Sequence, residues 1–411
     1  MRILQVNVVN NPASSTGAII LDIHRFLLES GHESLILYGL GNRSYDSKQI
    51  RISNRFEVKI NSIQAKVTGY PYSGCYLSTN RLIKRIREFQ PDIVHLHVIN
   101  NYFVNHYTLL TYLKTNAINT VVTLHAEYMY TGKCGHAYEC LKWKFGCGDC
   151  PQKRNEPSTW LFDRTSIEWK RKYNLYQDYH NLVFVCVSKW INDRALQSPL
   201  LKDKLFYIVH NGIDTEYVFN PNNGKDLDII RKKYNIPDTS KILLHVTARY
   251  SNVSKGGKYI ILLAERFLND DIKIIIIGFE GNSDLLPSNI IPINYIIDRE
   301  QLSLFYQISD LTVLTSRKET FSMICAESLS CGTPVVGFKA GAPEQISLKD
   351  YSEFVDYGNI DQLIITIRNW INRKKSVKVQ IREQAKDYYS KLKMCNMYYN
   401  IYESFTNQSI D

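Results

Sequence analysis

Two glutamates of this chain, Glu319 and Glu327, stand eight positions apart in a segment of small and apolar residues. The apolar run at 311–314 before them predicts a buried strand, and Gly332 after them is typical of a helix end. We therefore expect a helix that starts after the first glutamate and places the second about two turns further along. The alternative is that both glutamates lie on a solvated helix face.

The backbone between these carboxylates is also suited to chemistry. The first N–H groups of a helix have no partner within the helix and attract anions, and here they belong to Phe321, Ser322 and Met323. The first carboxylate, the anion site and the second carboxylate are then spaced like the sugar, the diphosphate and the ribose of a nucleotide sugar. This order indicates a site for a nucleotide sugar.

A group of cations is the next candidate. An apolar strand pattern at 241–248 leads into Arg249, a loop, and then Lys255 with two glycines after it. Two cations at a strand end suit a diphosphate whose negative charge grows as its bond to a sugar breaks. Lys258 is a rival for the role of Lys255. The alternative is that these cations are ordinary surface charges.

The N-terminal half of the chain offers two further candidates. An apolar strand pattern at 2–9 is followed by a polar loop that ends at Gly17 and then by an amphipathic helix pattern. This order is typical of phosphate-binding loops, but an ordinary strand–helix turn has it too. His125 ends another strand pattern, at 120–125, where a histidine is either structural or part of a site.

Four cysteines within 17 residues suggest a metal: Cys134, Cys140, Cys147 and Cys150. The last two form a C-x2-C turn, which brings two thiolates to one tetrahedral ion. In a chain without a secretion signal, metal is favoured over disulfides. We therefore predict one structural zinc, with His136 able to replace one thiol. Disulfide or redox pairs and free thiols are the alternatives.

The composition is that of a globular protein, with 44% hydrophobic and 22% charged residues among 411. No apolar run is long enough for a transmembrane helix, and the first residues enter a strand pattern directly. We therefore expect a cytoplasmic protein without a signal peptide. The net charge of +10 suits an acidic partner: nucleic acid, anionic lipid or a diphosphate.

Strand and helix patterns alternate along the chain, which predicts an α/β fold with parallel, doubly wound sheets. Ligands of such sheets bind at the C-terminal ends of the strands. The aromatic and basic segment 160–179 predicts a helix that contacts an acidic membrane surface or a lipid-linked acceptor, or is simply solvated. Asp226 and Asp228 match a D-x-D metal motif, which we interpret as solvated surface.

The run from Lys318 to Val336 combines the two glutamates with the sequence Cys-Gly-Thr-Pro-Val-Val. It resembles the E-x7-E signature of retaining nucleotide-sugar glycosyltransferases of family 4, which have the GT-B fold. The resemblance implies two Rossmann-like domains that face a cleft. It implies an acceptor-binding domain at 1–205 with a Cys-rich insert at 132–152, a nucleotide-sugar-binding domain at 206–388, and a helix at 389–411 that packs back on the first domain.

The resemblance also implies roles for the candidates. His125 faces the transferred sugar, Gly17 lies in the donor-binding loop, and Arg249 and Lys255 hold the departing diphosphate. The family commonly has these two cations five positions apart, and here they are six apart. No metal is needed for catalysis, because protein cations and helix N–H groups meet the phosphate charge.

The implied donor is a nucleoside diphosphate sugar. The implied acceptor is a glycan or a polyprenyl-diphosphate-linked sugar of capsule, O-antigen or colanic-acid-like polysaccharide synthesis. Peripheral contact with the inner membrane is expected, and nucleic acid is not. Two other functions stay open: a nucleotide-sugar epimerase or phosphorylase of the same fold, and a zinc-bearing nucleic-acid-binding protein.

Overall fold

The computed structural model describes residues 1–155, 157–221, 227–373 and 378–407. The chain divides into two units, Met1–His210 with Met394–Asp411, and Asn211–Lys393. Asp226 of the D-x-D match lies outside the described residues.

The first unit is an α/β layer structure. Its strands are β1 (Arg2–Val9), β2 (Glu33–Leu40), β3 (Gln49–Arg51), β4 (Ile93–Leu96), β5 (Asn119–Leu124), β6 (Leu182–Cys186) and β7 (Leu205–Ile208). Its helices are α1 (Ser15–Glu29), α2 (Arg55–Thr68), α3 (Tyr76–Phe89), α4 (His106–Thr115), α5 (Thr165–Tyr176) and α6 (Lys189–Ala195). The strands are parallel and form one sheet in the order β3-β2-β1-β4-β5-β6-β7. The order reverses at β1, as in a doubly wound fold.

The second unit repeats this architecture. Its strands are β8 (Lys241–Val246), β9 (Ile272–Ile277), β10 (Ile290–Ile293), β11 (Leu311–Leu314), β12 (Val335–Phe338) and β13 (Ser352–Val355). Its helices are α7 (Asp228–Lys233), α8 (Gly257–Arg266), α9 (Arg299–Ile308), α10 (Met323–Ser330), α11 (Pro343–Ile346), α12 (Ile360–Ile371) and α13 (Lys378–Tyr388). The parallel sheet has the order β10-β9-β8-β11-β12-β13. The predicted α/β class with two parallel sheets is confirmed.

The last helix, α14 (Lys391–Asn407), belongs mostly to the first unit. Its buried side chains join the core that Ile3, Ile19 and Ile23 form around β1 and α1. The helix contributes Met394, Cys395, Tyr398, Ile401, Tyr402 and Phe405. The chain therefore returns to complete the unit in which it began.

Two predicted helices have different bounds in the structure. The segment 160–179 is helical only at Thr165–Tyr176, and the aromatic residues before it form a loop. The helix predicted at 389–411 begins two residues later, as α14 at Lys391, after a break at Tyr389 and Ser390 that separates it from α13. There, Ile213 pairs with the chain through the N–H of Lys391, which donates to its carbonyl at 3.0 Å.

Candidate active site

The loop after β8 places Lys255 next to the end of β11. The Thr315 hydroxyl donates to the carbonyl of Lys255 at 3.0 Å, and the N–H of Arg317 donates to the carbonyl of Ser254 at 2.8 Å. Gly256 follows with φ of +73°, and a Cβ there would overlap the Thr315 carbonyl. The glycine thus allows the lysine loop to approach the neighbouring strand end closely.

Lys255 forms an ion pair with the first predicted carboxylate. Its Nζ lies 2.7 Å from Oε1 of Glu319, and both side chains are partly buried. The backbone of Glu319 is fixed, because its N–H donates to Ala340 at 2.9 Å and its carbonyl accepts from Ala342 at 3.2 Å. The Glu344 carboxylate accepts from the N–H of Ala340 at 3.1 Å. A phosphate that entered here would find an ammonium group already held in place.

The other two predicted cations are exposed. Arg249 has 71% of its side chain in solvent, and its Nε lies 3.8 Å from Oε1 of Glu280. Lys258 is exposed in the first turn of α8, with Nζ 4.8 Å from the ring centre of Tyr259. The structure therefore brings Lys255, and neither of these two cations, into contact with Glu319.

The helix after Glu319 starts later than predicted. The helix begins at Met323 and not directly after Glu319, because Glu319 and Ser322 have backbone conformations that are not helical. Glu319 forms a parallel β-bridge with Gly341. Ser322 has φ of +89°, a backbone angle that residues other than glycine seldom adopt. Ser322 is the N-cap, and Phe321 lies outside the helix. The predicted anion site therefore narrows to the N–H groups of the first turn, from Met323 onward.

Glu327 lies one turn into α10, not two. It is buried, and the Tyr306 hydroxyl donates to its Oε2 at 2.9 Å. The Arg299 guanidinium lies 3.4 Å from its Oε1. Burial raises the pKa of Glu327, while the charge of Arg299 and the hydrogen bond from Tyr306 lower it. The Glu327 carboxylate is thus oriented by two partners.

Those two partners were not predicted. Arg299 and Tyr306 are seven positions apart on α9, so they lie on one face of that helix. Asp298 caps the helix by accepting from the N–H of Glu300 at 2.8 Å. The sequence shows that Arg299 and Tyr306 have the spacing of one helix face. It does not show that this face of α9 packs against Glu327.

His125 lies at the end of β5 and is part of a chain of buried polar groups. Its Nε2 is 3.2 Å from Nδ1 of His97, whose Nε2 is 3.3 Å from Oε1 of Gln5. Gln5 Nε2 in turn donates to the carbonyl of Ile20 at 3.2 Å. Burial lowers the pKa of His125 to about 3, and the pKa of His97 lies well below its ordinary value. Both imidazoles are therefore neutral at pH 7.

This chain of contacts determines the proton positions. A carbonyl only accepts, so the Gln5 amide must donate to Ile20 and must present its oxygen to His97. His97 then carries its proton on Nε2, and its bare Nδ1 accepts from Nε2–H of His125. The lone pair of the His125 ring is consequently on Nδ1, which makes that atom a hydrogen-bond acceptor.

His95 of β4 links this region to α14. The Tyr402 hydroxyl is 2.7 Å from His95 Nδ1, and His95 Nε2 is 2.7 Å from the Thr123 hydroxyl. The Tyr398 hydroxyl lies 3.1 Å from that same hydroxyl. The rings of His95 and His97 are 3.8 Å apart. Neither His95 nor His97 was among the predicted site residues, although the pattern His-Leu-His in an extended segment puts both side chains on one face.

Gly17 has a role in the fold itself. Its N–H donates to the Ser14 hydroxyl at 3.1 Å as part of the α1 cap, and a Cβ on it would overlap the carbonyl of Asn11. The packing of the loop thus explains this glycine without a ligand.

The four predicted zinc ligands, Cys134, Cys140, Cys147 and Cys150, line one cavity of about 10 Å³. In the described residues, however, no three His, Cys, Asp or Glu side chains are arranged to hold a metal ion. Zinc therefore stays a prediction from the sequence.

Two buried lysines order the Cys-rich segment. Lys172 Nζ donates to the carbonyls of Tyr128 at 2.5 Å, Thr131 at 2.9 Å and Gly132 at 3.2 Å. Lys133 Nζ donates to the carbonyls of Lys153 at 2.9 Å and Pro157 at 2.7 Å. Most of these carbonyls lie just outside 132–152, so the two ammonium groups hold the backbone on either side of the Cys-rich segment. Lys172 is also removed from the basic surface that the sequence predicted for α5.

Elemental analysis tests the zinc prediction directly. We expect about one zinc per chain in protein purified without chelator, with the four thiols unreactive until the metal is removed. The matched variants are Cys140→Ser, which should abolish retention of zinc, and Cys395→Ser, a buried cysteine of α14, which should not. A zinc content near zero together with four titratable thiols in the native protein would contradict the prediction.

Two families of known proteins match this chain. Residues 17–217 match the family described as Glycosyltransferase Family 4, and residues 226–388 match the one described as Glycosyl transferases group 1. The putative colanic acid biosynthesis glycosyl transferase WcaC of Escherichia coli K12 is 25% identical over 422 aligned positions. The alignment covers 98% of this chain and 100% of that relative.

Solved structures share the fold. A glycosyltransferase from Rickettsia africae ESF-5 covers 98% of both chains with a TM-score of 0.66 at 16% identity. Anabaena Alr3699/HepE, crystallised with UDP-glucose, covers 98% of this chain and 100% of its own with a TM-score of 0.66 at 13% identity. At these identities the likeness shows the fold, which is GT-B.

Proposed function

Because the chain is a glycosyltransferase, with a Family 4 domain followed by a group 1 domain, we propose that it moves a sugar from a nucleoside diphosphate sugar to a hydroxyl of a glycan acceptor. The family predicted from the E-x7-E run is confirmed. The observation that carries the proposal is the ion pair of Lys255 and Glu319 in the same unit as the buried carboxylate of Glu327.

We assign the nucleotide sugar to the second unit. The diphosphate binds Lys255 and the first-turn N–H groups of α10, both of which supply positive charge without a metal. The ribose hydroxyls bind Glu327, whose two partners hold it in an acceptor orientation. The sugar faces Glu319. When the diphosphate binds Lys255 in place of Glu319, the Glu319 carboxylate accepts hydrogen bonds from the sugar hydroxyls.

The transfer proceeds with retention of the anomeric configuration. The acceptor hydroxyl approaches the same face of the sugar that the diphosphate leaves, and a phosphate oxygen takes its proton. The bond between the anomeric carbon and the phosphate oxygen breaks while the bond to the acceptor oxygen forms, so the electron pair and the proton both end on the diphosphate. Lys255 is most useful at this point, because the negative charge on the leaving group is then largest.

In the first unit, taken by itself, His125 is a candidate sugar-binding residue, as the family resemblance implies. Its neutral Nδ1 accepts a hydrogen bond from a sugar hydroxyl, and the chain through His97 and Gln5 fixes that tautomer. The acceptor glycan also binds this unit. The name of the Escherichia coli relative supports a role in polysaccharide synthesis. A lipid-linked acceptor rests on the family resemblance alone.

Release of free nucleoside diphosphate tests the reaction. UDP-, GDP- and dTDP-sugars are first ranked by the rise in melting temperature that they produce, since a ligand of the folded state stabilises it. The best donor is then incubated with polyprenyl-diphosphate-linked sugars in the presence of EDTA. We expect diphosphate release that requires the acceptor, and an α- or β-product with the anomeric configuration of the donor. Release without any acceptor, together with an epimerised sugar, would instead show an epimerase.

Changing Glu327→Gln should weaken donor binding more than turnover. The amide keeps the shape of the side chain but loses the charge that faces Arg299, and a ribose contact persists through the reaction. We expect KM for the donor to rise about tenfold, equivalent to about 1.4 kcal/mol, with kcat nearly unchanged. Steady-state kinetics with Glu300→Gln, an exposed glutamate of α9, as the control would check this. A lower kcat at constant KM would refute the ribose role.

A further inference from the structure

The outer face of α2 has an unusual distribution of apolar side chains. Phe56, Ile60, Ile63 and Val67 follow each other at spacings of four, three and four residues, and each is between 38% and 72% exposed. At 100° per residue they lie within an arc of about 60°. An amphipathic helix of a soluble domain normally turns such a stripe towards the core. Here the buried residue of the helix is Ala65, and the apolar stripe faces solvent.

The loop before α5 extends this stripe. Trp160, Leu161 and Phe162 are 48% to 61% exposed. The N–H of Trp160 donates to the carbonyl of Lys66 at 2.7 Å, and a Cβ on Gly69 would lie 2.8 Å from the Phe162 carbonyl. The loop is thus held against the C-terminal end of α2, and seven large apolar side chains share one region of surface.

Basic residues flank this region on one side. Arg55, Lys59 and Lys66 lie about 70–110° from the axis of the stripe in the same direction. The acidic residue of the helix, Glu57, lies on the opposite flank and is ion-paired with Arg81. The charge that accompanies the apolar stripe is therefore positive.

Two of the cations next to this region also contact its aromatic rings. Lys66 Nζ is 5.9 Å from the ring centre of Trp160, and the guanidinium carbon of Arg164 is 5.0 Å from that of Phe162. Cations beside exposed aromatic rings are suited to a boundary where apolar chains meet anionic head groups.

We propose that α2 and the Trp160–Phe162 loop dock the protein on an anionic phospholipid bilayer, with the helix lying in the plane of the membrane interface. In the described part of the chain no helix is long and apolar enough to cross a bilayer. A helix with an apolar stripe and a basic flank binds such a surface without crossing it, because burial of the stripe and attraction to the head groups act together. A protein partner or a second copy would not require the cations to be gathered on one side.

This surface differs from the one that the sequence indicated. The predicted membrane helix was 160–179, but only its first three residues belong to the surface described here. Lys172 is buried among carbonyls, and the Arg171 guanidinium carbon lies 3.7 Å from the ring centre of Tyr107. The docking inference does not depend on the transfer reaction, so either can fail without the other.

Co-sedimentation with vesicles tests the docking surface. The full chain is mixed with vesicles of phosphatidylcholine alone or with about a third phosphatidylglycerol. We expect binding to the anionic vesicles that weakens at high salt, and a tenfold or greater loss of binding in the double variant Ile60→Glu/Ile63→Glu. Ile365→Glu, which changes an exposed isoleucine of α12 in the other unit, should bind like the wild type.

Two further measurements distinguish loss of membrane binding from misfolding of the variant and from an interface between two copies of the chain. Trp160 should shift its fluorescence to shorter wavelength on anionic vesicles, and Trp160→Phe should remove that shift while binding persists. Unchanged vesicle binding in the double variant would overturn the proposal, as would no binding of the wild type. A dimer in solution that the double variant dissociates would also overturn it, since the stripe would then be an interface between copies.

Discussion

Replacing Lys255 with alanine should lower kcat about 10²- to 10³-fold with little change in KM for the donor. The ammonium group meets the charge that develops on the departing diphosphate, so its loss affects the transition state more than the bound substrate. Its Nζ is already 2.7 Å from Glu319, and the backbone of its loop is hydrogen-bonded to residues at and just beyond the end of β11. Steady-state kinetics with the donor varied at saturating acceptor would measure the effect.

Lys258→Ala is the matched control, because it removes the same group three positions away from an exposed site. We expect it to retain nearly full kcat, and Arg249→Ala to lose less than Lys255→Ala, since Arg249 is largely in solvent. The melting temperature of each variant must be measured, because Lys255→Ala leaves Glu319 without its cation. If Lys258→Ala is the damaging variant and Lys255→Ala is silent, the assignment of the diphosphate site is wrong.

Lowering the pH from 7 to 5 should reduce the free energy of unfolding by several kcal/mol. Burial lowers the pKa of His125 and His106 to about 3 and that of His245 to about 4, and it holds His95 and His97 well below their ordinary values. An imidazole in the unfolded chain has a pKa of about 6.5, so the unfolded state binds the proton first. Each of the three histidines with a folded pKa of about 3 or 4 destabilises the fold by about 2 kcal/mol at pH 5.

The direction of this effect follows from the proton balance. The stability is fully present above pH 6.5 and decreases as the pH falls towards the folded pKa values. Glu327 works in the opposite direction, since its raised pKa means that the folded state binds the proton more readily. Urea unfolding at several pH values would show a dependence of the free energy of unfolding on pH that His125→Asn reduces. Equal stability at pH 7 and pH 5 would contradict the prediction.

Local sequence patterns predicted the scaffold well. The alternation of apolar strands with amphipathic helices was sufficient for two parallel sheets, because strand burial and helix periodicity are properties of short segments. The E-x7-E run likewise indicated both carboxylates. Spacing did not show which of Lys255 and Lys258 pairs with Glu319, since the loop of Lys255 is held by a hydrogen bond from Thr315, 60 residues further along.

Features set by tertiary contacts escaped prediction. Helix α10 begins at Met323 because Ser322 has a positive φ and Glu319 forms a bridge with Gly341. The bridge joins residues that are 22 positions apart, so the local sequence did not indicate it. The partners of Glu327 come from α9, more than 20 residues earlier in the chain. The exposed stripe of α2 was missed for a different reason. An amphipathic pattern shows that a helix has an apolar face, but it does not show what covers that face.

The packing of α14 has a consequence for synthesis on the ribosome. Met394, Tyr398 and Tyr402 fill the core around β1 and α1, and they are made only after every residue of the second unit. Domains generally fold as they emerge, starting from the N-terminus. Here the apolar face of the first sheet stays uncovered until α14 has been synthesised and packs on it. During elongation the nascent first unit is thus a candidate client for chaperones, and a stop codon near residue 393 would leave it unfinished although all of its strands exist.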